Sequence, residues 1–348
     1  MTATSNQALA ASEPEVERKH MRRAALFYNP LSGRRKKYRV QDVETAVSIL
    51  RGGGIEVEVA PTRAASDAAA QVRKAIRDGF DTIIACGGDG TVHDVLQGLA
   101  TKDAALGIIP LGTANAMAHD LRLPIDVKKA ARALLTAAPR RIAVGKIDFR
   151  NSNDLPASRY FTVAAGVGVD AHLFYKLNRL IKDRVGMMAY YSKALHLWMT
   201  HRMRYFEAEF SSNGEVRREP RLSEMLAVRI NFFGGVLREL APGASLARND
   251  MRLVLCRTGN RALYLAYVFR GILGLSSGVP GILLEYADQV TCRSVQDTCR
   301  SVSGEKPVNI YVEADGELLG RLPITLSMIP DALTVLVPKG HPKFSDER

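Results

Sequence analysis

From residue 21 onward the chain alternates short apolar runs with longer amphipathic stretches. Ala24-Ala25-Leu26-Phe27-Tyr28 reads as a buried strand, stopped by the turn formers Asn29-Pro30-Leu31-Ser32-Gly33. A helix is predicted over about 40–51, ending at Gly52-Gly53-Gly54. Ile55 to Val59 alternates as a strand, with Thr62 just beyond it. Positions 66–78 follow as a helix that Gly79 ends. The apolar run Asp81-Thr82-Ile83-Ile84-Ala85 then opens into Cys86-Gly87-Gly88-Asp89-Gly90-Thr91. After it, Val92, Val95, Leu96 and Leu99 keep helical spacing. Leu106 to Pro110 is a further strand. It leads into Leu111-Gly112-Thr113-Ala114-Asn115 and a helix from about 116.

Four strand–turn–helix units in series predict a parallel sheet with helices on its faces. Ligands of such sheets bind beyond the carboxyl ends of the strands. The turns 29–33, 87–91 and 112–115, together with Thr62, all fall there. Glycines let the backbone approach an anion, and the first N–H groups of a helix point at it. No Walker sequence is present. Asp89 is the unusual member of the glycine turn. A carboxylate beside phosphates repels them unless a cation bridges the two, which points to a metal–nucleotide site organised by Asp89. An aspartate capping the following helix is the plainer reading of the same residues.

Beyond about 140 the pattern changes to short strand-like runs at 160–163, 205–210, 225–230, 251–256, 308–313 and 334–337. One helical region intervenes at about 172–200. These predict a mostly antiparallel second part. Gly166 to Ala171 matches a dinucleotide fingerprint but lacks the surrounding strand–helix–strand unit that would give it meaning. Asp315-Gly316-Glu317 follows the strand Asn309 to Val312. Its glycine permits a tight turn that points two carboxylates into one region, where they can divide proton acceptance and orientation. A hairpin turn with solvated acids is the bland alternative.

Charge narrows the partner class. Lysines and arginines number 48 against 36 acids, a formal net charge of +12. An anionic partner follows: a phosphorylated ligand or an anionic membrane face. No nucleic-acid module accompanies the basic residues, including the run 34–37, so no nucleic-acid partner is expected. Cys86, Cys256, Cys292 and Cys299 form no paired or zinc spacing, which fits reduced thiols and a cytoplasmic protein. Residues 1–20 lack the apolar core of a signal peptide and read as a disordered tail. The apolar window 262–284 is interrupted by Arg270, Pro280 and glycines, so it does not span a bilayer. It still suits a helix that lines a lipid pocket or touches a membrane surface.

With those motifs in order, the chain resembles the soluble bacterial lipid kinases of the diacylglycerol kinase catalytic family, relatives of sphingosine and ceramide kinases. The resemblance rests on Asn29-Pro30-x-Ser32-Gly33, Gly87-Gly88-Asp89-Gly90-Thr91 and Pro110 to Asn115. It continues through Val185 to Tyr191 and ends at Asp315-Gly316-Glu317. It implies an α/β nucleotide domain of phosphofructokinase or NAD-kinase type over 21–140. A β-rich, sandwich-like lipid domain would follow over 141–340, with a tail at 341–348. It implies ATP at Asn29, Pro30, Leu31, Ser32, Gly33, Thr62, Gly87, Gly88, Asp89, Gly90, Thr91, Gly112, Thr113 and Asn115. Mg²⁺ would be held through Asp89, and Glu317 with Asp315 would form the catalytic base. The implied reaction is transfer of the γ-phosphate to a lipid hydroxyl, diacylglycerol first, at the inner membrane face. An NAD-kinase-like phosphotransferase and a non-catalytic lipid- or nucleotide-binding protein are the alternatives. Two departures stand out. Pro242-Gly243-Ala244-Ser245-Leu246 leads into Ala247-Arg248-Asn249-Asp250, where relatives carry more acids tied to a structural Mg²⁺ in the second domain. Ile142-Ala143-Val144 replaces a usual Val-Asp pair.

Overall fold

The structure, a computed structural model, describes residues 21–30, 39–62, 65–151, 153–168, 204–232, 240–275, 278–295 and 310–344. Leu31, Ser32, Gly33, the basic run 34–37, the helix expected at 172–200 and the motif 185–191 lie outside the described residues.

The first strands form as expected. β1 (Arg23–Tyr28), β2 (Glu56–Pro61), β3 (Thr82–Gly87) and β4 (Ala105–Pro110) pair in parallel in the order β2-β1-β3-β4. β3 and β4 are buried along their whole length, as continuous apolar runs in a parallel sheet must be. Alternate side chains serve opposite faces. Ala25, Phe27, Ile83 and Ala85 pack against α2 (Ala65–Arg77) and α3 (Asp89–Leu99). Ala24, Leu26, Ile84 and Cys86 pack against α1 (Arg39–Gly52) and α5 (Val127–Leu135), while α4 (Ala116–Asp120) follows β4. The chain leaves β1 toward β2 and then crosses to β3 on the other side. The order therefore reverses between β1 and β3, where ligands of open sheets bind.

The strand-rich part is antiparallel, as expected. β5 (Ala138–Arg150) runs beside β6 (Pro156–Phe161) and along β15 (Glu317–Val337). β7 (Ala164–Gly168) lies between β10 (Glu224–Val228) and β14 (Tyr311–Ala314), and β10 continues to β11 (Met251–Cys256) and β12 (Ile282–Ala287). β13 (Gln289–Ser294) pairs with β15 and with β8 (Phe206–Ser212), and β8 pairs with β9 (Glu215–Leu222). Val167, Met225, Leu253 and Val312 meet Ile147, Phe206, Val290 and Leu326 in one core, so two layers of this part face each other. A last helix, α6 (Arg261–Ile272), covers the outer face of β7, β10 and β11.

β15 joins both parts. Its first half pairs with β13, β14 and β5, and then Thr334 and Val335 pair in parallel with Ala105 and Leu106 of β4. Asp120, at the end of α4, adds a side-chain clamp. Its Oδ1 accepts N–H groups of Asn231 at 2.9 Å and Phe232 at 3.2 Å, and its carbonyl oxygen lies 3.0 Å from His341 Nε2.

Candidate active site

The turns after β3 and β4 touch backbone to backbone. A β-carbon on Gly112 would lie 2.5 Å from Gly88 Cα, and one on Gly88 would lie 3.0 Å from Gly112 Cα. Only glycine at both positions allows this approach. α3 therefore begins at the same spot as α4, with Gly90 and Thr113 exposed beside each other's loops. Thr62 is buried, and its N–H donates to Tyr28 O at 2.8 Å, which holds the end of β2 to the end of β1. Asn29 and Pro30 are half-buried at the end of β1. Arg39, the first residue of α1, is buried and reaches Leu111 O at 3.4 Å, which places a cation beneath the glycine turns.

Two expected ligand side chains hold the loops themselves. Asp89 accepts Asn115 N–H through Oδ2 at 2.9 Å and Ala116 N–H through Oδ1 at 2.7 Å. Each carboxylate oxygen thus accepts one N–H at the start of α4, so Asp89 caps that helix start. Burial pushes its pKa up, and those two N–H groups pull it back. Asn115 sits in left-handed backbone, and its amide is spent on one residue. Its Oδ1 accepts Gly112 N–H at 2.8 Å, and its Nδ2 donates to Gly112 O at 3.0 Å. The Asn115 side chain therefore braces the loop that it closes.

The Asp315-Gly316 pair has positive φ at both residues and joins β14 directly to β15, a primed two-residue hairpin turn. The turn drives Asp315 inward. Its Oδ2 accepts Thr162 N–H at 3.0 Å, and its Oδ1 accepts Val163 N–H at 2.9 Å and Ala164 N–H at 3.1 Å. Both oxygens of Asp315 are thus engaged by the backbone of 162–164, while Glu317 is left to face outward. Asp315 Oδ2 also lies 3.5 Å from His93 Nδ1 on α3. Burial lowers the pKa of His93, but Asp315 and the nearby charges of Asp94 and Glu317 outweigh it, and the net shift is upward. Glu317, one residue past the turn, is exposed. Its Oε1 lies 3.9 Å from where a Gly90 β-carbon would stand. The hairpin turn and the glycine turn thus face one cleft, although more than two hundred residues separate them.

Asp94, one turn into α3, joins that cleft. Burial raises its pKa to about 6, His93 lowers it, Glu317 raises it and Arg159 lowers it. Two carboxylates share the site with incomplete charge compensation. Sequence reading singled out neither His93 nor Asp94 as a site residue, because each acquires its chemistry from the distant 315–317 turn.

A parallel sheet whose glycine loops meet beside acidic side chains at its carboxyl edge is the geometry of a phosphate-binding α/β protein. Residues 23–147 match the model of the diacylglycerol kinase catalytic domain. A diacylglycerol kinase of Bacillus subtilis strain 168 is 30% identical over 332 residues, covering 94% of this chain and 100% of that protein. A crystal structure of a diacylglycerol kinase from Bacillus anthracis superposes with a TM-score of 0.63 at 16% identity, covering 92% of this chain and 98% of that one. Yeast NADH kinase complexed with NADH shares the fold more distantly, with a TM-score of 0.52 at 11% identity over 93% of this chain and 85% of that one. The chain belongs to the diacylglycerol kinase family, and it is a kinase.

Proposed function

We propose that the protein transfers the γ-phosphate of ATP to a lipid hydroxyl, with diacylglycerol as first substrate and phosphatidate as product. The observation that carries this reading is the approach of Glu317 to Gly90 at the start of α3. It sets an exposed carboxylate beside the loops where the phosphates would lie. ATP would occupy the turns at Asn29, Pro30, Gly87, Gly88, Gly90, Thr91, Gly112 and Thr113, with backbone N–H groups and Arg39 supporting its charge. Glu317 takes the proton of the attacking hydroxyl. Asp315 positions the hairpin and His93 rather than touching substrate.

Mg²⁺ suits the same cleft. Burial and the Glu317 charge raise the pKa of Asp94, and a cation there would offset that repulsion. Mg²⁺ needs only one or two carboxylates besides phosphate oxygens. Among the described residues no three acid, His or Cys side chains converge as a closed cage. Asp94 would hold the ion, which would neutralise phosphate charge and leave Glu317 free as the base.

Labelled ATP supplied with diacylglycerol, with a broader lipid panel and with NAD tests the reading. Labelled phosphatidate is the expected product. The likeness to yeast NADH kinase gives the competing reading, and label appearing in the dinucleotide alone would replace ours with that one. Glu317→Gln is expected to lower turnover roughly 10²–10⁴-fold, the usual contribution of general-base assistance. ATP affinity should stay within a few-fold.

A further inference from the structure

α6 carries a surface that the nucleotide cleft does not use. Asn260 caps its start by accepting Ala262 N–H at 3.0 Å, and Arg270 closes its end by donating to Leu275 O at 2.9 Å. Its inner side is anchored. Tyr267 is buried with Leu226, Val228 and Val254, and the Tyr264 hydroxyl donates to Glu224 Oε1 at 3.1 Å. Its outer side is apolar and bare. Leu265 is 42% exposed, Phe269 62%, Leu273 57% and Leu275 55%. Positions 265, 269 and 273 fall one helical turn apart, so the three form one stripe, and the exposed Ala262 and Ala266 lie along it. A contiguous apolar surface of this kind marks an interaction site.

Charge selects the occupant. No acidic residue occurs between Asp250 and Glu285, and α6 itself carries Arg261 and Arg270, whereas Arg257 is already paired with Glu219 and Arg252 stacks on Tyr286. A second copy of the chain would bring Arg261 and Arg270 against their own like charges with no acid on the helix to receive them. An anionic bilayer complements both the stripe and the arginines. Position supports the same choice. Leu226, under the helix, also lines the space above Gly166, where Glu313 packs, and Glu313 Oε2 accepts the N–H of Gly316 at 2.9 Å. The helix and the catalytic turn are thus connected through one face of the sheet.

We propose that the outer face of α6, centred on Leu265, Phe269 and Leu273, is the surface by which this kinase seats on an anionic bilayer. The proposal takes its purpose from the lipid-kinase reading but does not depend on it for its test. Sedimentation with vesicles of phosphatidylcholine containing phosphatidylglycerol compares wild type with Leu265→Asp and Phe269→Asp. Each substitution is expected to weaken partitioning roughly tenfold or more, since it replaces a side chain whose burial drives binding. The wild-type affinity should also fall as salt rises. Both variants should keep the wild-type thermal unfolding temperature and wild-type turnover of a short-chain, water-soluble diacylglycerol. Unchanged vesicle binding in both variants overturns the proposal. So does a wild-type dimer that these substitutions split while vesicle binding persists. Loss of vesicle binding with no lipid phosphorylated by the wild type leaves the docking surface standing and removes the lipid-kinase reading.

Discussion

At the scale of single residues, two acids two positions apart in sequence have opposite fates. Asp315 is buried and saturated by three backbone N–H groups, whereas Glu317 is exposed in the cleft. Asp315→Ala orphans those donors, at about 1–3 kcal/mol for each group left unsatisfied. We therefore expect urea unfolding to show a clear loss of stability for Asp315→Ala and almost none for Glu317→Gln, with turnover falling in both. Equal stability of the two variants would contradict the assignment. Asp94 gives a pH signature. Its pKa rises from 3.8 to about 6 on folding, chiefly through burial. The folded state therefore resists its ionisation. The stability this group supports is full below about pH 4 and is lost as pH rises through about 6. Asp94→Asn removes that penalty. Its unfolding temperature should exceed that of wild type above about pH 7, and the gap should close on acidification to about pH 4. Sequence could not reveal this, because the burial and the Glu317 charge that set the shift come from tertiary placement.

At the scale of elements, legibility followed how local the determining contacts are. The parallel strands were readable because β1, β3 and β4 are buried apolar runs and β2 alternates, each running into glycine or proline, and because parallel pairing imposes helices between them. β15 was not readable as one strand. Gly320, Pro323, Pro330 and Asp331 interrupt its 21 residues like turn signals. The structure carries the strand through them, with register shifts at Arg321/Thr325 and Ile329/Leu333 against β5. Those irregularities are absorbed by a partner nearly two hundred residues away, which no local pattern encodes. The glycine turns were readable in kind but not in purpose. Gly88 and Gly112 serve each other before they serve a ligand, since their backbones are in contact. Gly112→Ala places its β-carbon against Gly88 and against Asn115 Oδ1, so α3 and α4 must move apart. We expect a destabilisation of about 1–3 kcal/mol, the usual cost of overpacking. ATP affinity, measured by calorimetry, should fall with it, because the two helix starts no longer share one site. An unchanged affinity would show that the loops bind independently.

At the scale of the whole molecule, a buried cation made of protein holds the strand-rich part to the rest. Arg229, fully buried just past β10, donates to Ala143 O and to Arg248 O, each at 2.8 Å, and also to Asp250 O. It thereby gathers β5 and the segment 246–250 around one guanidinium. The carboxylate of Asp250 is itself forked onto Arg248, through Arg248 Nε at 2.6 Å and through Nη2. Burial lowers the Arg229 pKa only to about 10, so the group stays charged at neutral pH. The acid that would have to ligate a structural divalent ion here is neutralised by an arginine, and the carbonyls beside it are taken by another. This part of the fold should accordingly stand without a metal. On the proposed reading, in which ATP reacts with Mg²⁺, a chelator is expected to abolish phosphate transfer while leaving the unfolding temperature of the nucleotide-free protein unchanged. Arg229→Met is expected to do the reverse to stability. It strands several buried carbonyls at about 1–3 kcal/mol each and lowers the unfolding temperature regardless of added Mg²⁺. A chelator-induced drop in unfolding temperature, restored by Mg²⁺, would place a structural ion where we place the guanidinium.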